Sequence, residues 1–133
     1  MYKVIIIEED EMTRNIKLIN VETGTIDECF DDSALVGNKR RFDFIEIGKE
    51  YNCKIKLFGN VVQERMGKVV QCKVICKDVI VGTRNMSKVL VNNDEYFIPK
   101  NKLSELEDVE SFYFRYTRKD LIQVNDVIHA DLL

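Results

Sequence analysis

The 133-residue chain has the length of one ordinary domain, and its 45% hydrophobic and 32% charged residues can build a core without covalent staples. That composition excludes a disordered chain, and no apolar run reaches the roughly 20 residues of a membrane-spanning helix. The formal charge of −3 is uneven: residues 1–32 carry three basic and nine acidic groups, residues 33–88 twelve and five, and residues 89–133 five and nine. A basic middle between acidic ends leaves room for a local anionic partner.

Met1-Tyr2-Lys3 leads straight into Val4-Ile5-Ile6-Ile7-Glu8, too short and too acidic behind for a signal peptide, so a cytoplasmic location is expected. The β-branched run from Tyr2 to Glu8 ends at Glu8-Glu9-Asp10-Glu11, which reads as a solvated turn rather than a cation site. Residues Ile16–Glu22 alternate and turn at Thr23-Gly24 into Thr25–Phe30, which predicts a hairpin. Asp31–Gly37 reads as a short helical turn with Asp32 as its cap and Gly37 as its end. Asn38-Lys39-Arg40-Arg41 is the densest basic run and precedes Phe42 and Phe44. Such runs are usually solvated loops, but arginine beside phenylalanine also suits stacking on bases.

Tyr51–Val81 predicts one long hairpin, with Gln63 and Lys68 closing a loop that contains Gly67. Pairing outward from that loop sets Val61 opposite Val70, Gly59 opposite Cys72, Leu57 opposite Val74 and Ile55 opposite Cys76, all on one face. The other face then collects Lys54, Lys56, Phe58, Lys73 and Lys77, with Lys54 opposite Lys77 and Phe58 opposite Lys73. After a loop at Gly82–Asn85, Val89–Val91 and Tyr96–Ile98 flank Asn92-Asn93-Asp94-Glu95, which reads as a second hairpin or as one strand with a polar kink. Asn101–Val109 is the best helix candidate, with Ser104 and Glu107 spaced as a capping box. Phe112–Tyr116 predicts a fourth strand and Val127–Leu132 a fifth.

The order strand, strand, strand, short helix, strand, strand resembles the OB-fold, the five-stranded oligonucleotide- and oligosaccharide-binding barrel, over residues 48–133. Gly59, midway along a long first strand, sits where a barrel strand must bend. The expectation is a single all-β domain with one short helix: an acidic N-terminal β-hairpin extension over residues 1–47 and an OB-like barrel over 48–133. Another barrel or sandwich that uses the first 47 residues is the alternative.

No nucleotide-binding glycine loop or nucleophile elbow is present, and His129, two residues from Asp131, has no nucleophile nominated beside it. Cys72 and Cys76 would stand about 13 Å apart on a strand, and Cys29 and Cys53 complete no ligand cluster. The reading is therefore non-enzymatic, without metal or cofactor, with four reduced cysteines. The resemblance implies ligand binding on an exposed sheet face. Lys54, Lys56, Phe58, Lys73 and Lys77, joined by Arg40 and Arg41, are the residues suited to phosphates and bases of single-stranded nucleic acid. A protein-interaction module that presents acidic surfaces to a protein partner is the rival from a different class. Oligomeric state is not legible.

Overall fold

The computed structural model describes residues 1–36, 40–106 and 109–133. The chain begins with three antiparallel strands, β1 (Tyr2–Glu9), β2 (Arg14–Asn20) and β3 (Ile26–Asp31). Alternation sorts them cleanly: Val4, Ile16, Leu18 and Cys29 are buried on one face. A four-residue helix, α1 (Ser33–Val36), follows, and β4 (Glu50–Tyr51) pairs with the start of β1. The cap of α1 differs in part from expectation. Asp32 holds the cap position, its carbonyl accepting from the Leu35 amide at 2.9 Å, but its side chain turns to His129. Asp31 accepts from the Ser33 amide at 2.9 Å, while its other oxygen holds Arg14 at 2.8 Å. The expected end at Gly37 lies outside the described residues.

Six strands follow: β5 (Cys53–Val62), β6 (Val69–Val81), β7 (Arg84–Val91), β8 (Asp94–Pro99), β9 (Ser111–Val124) and β10 (Val127–Ile128). The first five close into a ring in the order β9, β5, β8, β7, β6 and back to β9. A closed ring leaves fewer edges to defend, which is how small barrels avoid edge pairing.

The predicted pairing of β5 with β6 does not occur. β9 lies between them, so that Val61 and Val70 both face Phe114 from opposite sides. The Gln63–Lys68 connection, with Gly67 at φ 76°, spans the width of a strand instead of closing a two-strand ladder. The sorting of faces nevertheless survives, because inserting a strand leaves the alternation along its neighbours intact. Ile55, Leu57 and Cys72 are buried as expected. Cys76 is not, because β6 gains one extra residue between Val74 and Cys76 and another between Cys76 and Val79.

β9 is itself bulged twice. Thr117 and Ile122 are skipped in its pairing with β5, so Phe114, Leu121 and Val124 all face the main core despite their uneven spacing. Ile122 points the other way, into a second small cluster with Val81, Met86, Phe97 and Leu132. The main core runs without interruption from Val4, Ile16 and Phe42 to Leu57, Ile98 and Phe114.

The first 47 residues therefore add three strands to the barrel's sheet rather than one hairpin. β3 meets β9 in parallel at Phe30 and Asp120, and Asp94 accepts from Thr23 and Thr25 at 2.6 Å each. Buried Asp27 accepts from Tyr96 at 2.7 Å and is paired with Lys119. Two further expectations change near the C-terminus. Lys100–Leu103 is a 3-10 turn that follows the fourth barrel strand instead of the third, and Glu107 of the expected capping box lies outside the described residues. Val127–Leu132 supplies only the short β10 and a 3-10 turn at Ala130–Leu132; β9 is the fifth barrel strand.

All four cysteines are free thiols, and burial decides their reactivity. It pushes Cys53 and Cys72 up to about 12 and Cys29 well above its ordinary value, where Asp27 adds to the effect. DTNB should therefore modify one thiol of the folded protein, Cys76, and all four after unfolding. Above about pH 9 the unfolded chain sheds thiol protons that the folded chain keeps. Stability should thus be undiminished by these groups below pH 9 and fall as pH rises toward 12. Urea melts at pH 8 and 10.5 test the sign, which a flat or rising midpoint would contradict.

Candidate nucleic-acid interface

On β5, alternation turns Lys54, Lys56 and Phe58 away from the barrel interior, where Ile55 and Leu57 are buried. The neighbouring strand decides what they meet. Phe58 stands opposite Arg118 of β9, and Lys56 stands opposite Asp120. The Arg118 guanidinium carbon lies 4.7 Å from the ring centroid of Phe58 and 4.7 Å from that of Phe30 on β3, so the cation is held between two aromatic rings. Asp120 fixes it there, accepting from Arg118 Nη2 at 3.2 Å, and also lies 3.7 Å from Lys56 Nζ. Lys56 Nζ is 5.7 Å from the Phe58 ring. Phe58 remains 48% exposed.

Beside this stack is a shallow depression of about 320 Å³ lined by Phe30, Arg118, Tyr116, Lys68 and Lys119. Lys119 has a second duty, because its ammonium reaches inward to Asp27 and lies 5.0 Å from the Tyr116 ring centroid and 5.3 Å from that of Tyr96.

The seven residues predicted from the sequence do not form one surface. Lys56 and Phe58 meet as described. Lys54 faces Gln123 rather than Lys77, and its ammonium lies 5.8 Å from the Phe97 ring. No like-charge pair with Lys77 arises, since β6 is not the neighbour of β5. Lys73 sits where β6 changes partners, between Leu90 and Ser111, and lines a separate depression with Arg65 and Glu110. Lys77 is in the bulged half of β6. Arg40 and Arg41 belong to a loop anchored by buried Phe42, whose amide donates to Ser33 Oγ at 2.9 Å; Arg41 is paired with Asp43 at 2.8 Å.

Sequence reasoning missed Arg118, Phe30 and Asp120. The available signal was the run Arg115-Tyr116-Thr117-Arg118-Lys119, whose mixed cations and aromatic ring continue the strand begun at Phe112. Its two bulges hide the alternation.

His129 is buried and fully engaged. Its Nδ1 accepts from the Asp131 amide at 3.1 Å, which leaves Nε2 to donate to Asp32 Oδ1 at 2.6 Å. The ring packs edge-on against Phe42 at 6.2 Å. Asp32, His129 and Asp131 have donor atoms within 4.8 Å of one another, a spacing that a metal ligand set would also show. Their hydrogen bonds already bind the N-terminal segment to the chain end, a structural role that needs no ion. No helix among the described residues is long and apolar enough to cross a membrane. No protein-family model, curated protein or solved structure matches the chain.

Proposed function

We propose that this protein is a non-enzymatic, OB-like binding module that takes single-stranded nucleic acid on the surface shared by β5, β9 and β3. The observation that supports the reading is the Phe58–Arg118–Phe30 stack, exposed on its Phe58 side and bordered by Lys56 and Lys68. A base can stack on the exposed face of the Phe58 ring, while the lysines release counterions on meeting phosphates. Asp120 neutralises part of this charge and holds Arg118 in place, which preorganises the stack at the cost of electrostatic attraction.

Fluorescence anisotropy with labelled single-stranded oligonucleotides tests the proposal. Phe58→Ala should weaken binding by about 1–3 kcal/mol at every salt concentration, with the salt slope nearly unchanged. Lys56→Gln with Lys68→Gln should flatten the slope of log affinity against log salt by about 0.7 for each phosphate no longer neutralised. If the native protein shows no binding in low salt at high micromolar concentration, the nucleic-acid reading fails. A protein partner then becomes the better proposal. Its supporting feature is the exposed carboxylate row Glu8-Glu9-Asp10-Glu11 at the end of the β1–β2 hairpin.

A further inference from the structure

A second cleft lies on another part of the barrel and shares Lys56 with the surface just described. The two extra residues of β6 arise just where its pairing with β9 ends at Lys73 and its pairing with β7 continues to Arg84. Bulges bend a strand, and here the bent half of β6 and the start of β7 stand opposite the 3-10 turn at Lys100–Leu103. The space between them is about 850 Å³, within the range of small-molecule sites.

Its chemistry is two-sided. Val74, Met86, Leu103 and Phe112 supply an apolar floor, and Leu132 closes one end. Lys56, Lys77, Arg84 and Lys100 stand at the polar wall, with one carboxylate, Asp131, among the described lining residues. The tip of the β6–β7 hairpin is clamped in place: the Thr83 amide donates to the Leu132 carbonyl at 2.6 Å, and Arg84 Nε donates to the Asp131 carbonyl at 3.3 Å. Buried Ser87 ties the bulge down by donating to the Lys77 carbonyl at 2.8 Å. Lys100 is paired with exposed Asp78, an ion pair that a bound anion would replace.

We infer that this cleft binds a small anionic amphiphile, a molecule with an apolar body of several carbons and a single carboxylate or phosphate head. Burial of the body drives binding, and the lining cations select the head. A neutral or cationic molecule of the same length would bury its body equally well and forgo the selection.

The test is a titration of the full chain, with methyl NMR signals of Met86 and Leu103 as the readout. Octanoate and octyl phosphate should shift these signals saturably, and their relative affinities distinguish a carboxylate from a phosphate head. Octyltrimethylammonium should do so at least about tenfold more weakly, the scale expected when charge-assisted hydrogen bonds are missing. A Lys77→Gln, Lys100→Gln variant alters exposed side chains only and should weaken both anions about tenfold, with octanol unaffected. Saturation by the cation at equal affinity, an unchanged variant, or shifts confined to other methyl groups would overturn the inference. So would the absence of saturation at millimolar octanoate and octyl phosphate. Lys77 and Lys100 lie outside the Phe58–Arg118 stack and Phe58 lies outside the cleft lining, so the Lys77→Gln, Lys100→Gln and Phe58→Ala variants let each proposal fail without the other.

Discussion

Phe114→Ala should lower the stability of the folded protein by about 3–5 kcal/mol, the range for removing a buried aromatic ring. Phe114 is wholly buried on β9 and is paired across the ladder with both Val61 and Val70. It also meets Phe112 edge-on, with ring centroids 6.4 Å apart. Its removal leaves a cavity in the middle of the stretch, Tyr113 to Arg115, where β9 joins both strands that a simple hairpin would have paired. Exposed Gln71, on the same β6 segment, offers a control: Gln71→Ala should change stability by no more than about 0.5 kcal/mol. Urea melts of the two variants decide the matter. A loss below about 1 kcal/mol for Phe114→Ala would mean that the barrel is not closed through β9.

Gly59→Ala should cost about 3 kcal/mol or more, at the upper end of overpacking changes, although only one methyl group is added. A Cβ at Gly59 would lie 1.9 Å from the Arg115 carbonyl oxygen and 2.8 Å from the Tyr116 Cα. Both atoms are backbone, so no side-chain rotation relieves the clash, and the ladder between β5 and β9 must open. Gly59 faces Tyr116 immediately beside the extra residue Thr117, which explains the close approach. Gly67→Ala supplies the contrast. Its added methyl meets nothing within 4 Å, and the cost should be the about 1–2 kcal/mol of a left-handed backbone. Equal losses in thermal or urea melts would sink the explanation by close strand approach.

Local pattern was enough to find most strands. The hairpin through Thr23-Gly24 and the one through Asn92-Asn93 stand where turn residues interrupt alternating runs, since a tight turn and a period of two are encoded by near neighbours. The same locality gave Ile55 and Leu57 to the core and Lys56 and Phe58 to the surface. Alternation is a property of each strand, whatever lies beside it.

Which strands lie side by side was a different matter. Nothing in residues 51–81 encodes that a strand starting at Ser111 would divide them, because a β-ladder presents the same donors and acceptors to any neighbour. The choice of β9 came from the closed barrel as a whole, which uses both edges of β9 and so satisfies β5 and β6 together. That choice also composed the candidate site. Phe58 stands beside Arg118 in place of the expected Lys73, and Phe30 arrived from a segment read as an extension. Chain sequence by itself determined the faces; the tertiary structure determined the neighbours, because backbone hydrogen bonding supplies attraction without identity and only the packing of the whole core selects among the pairings.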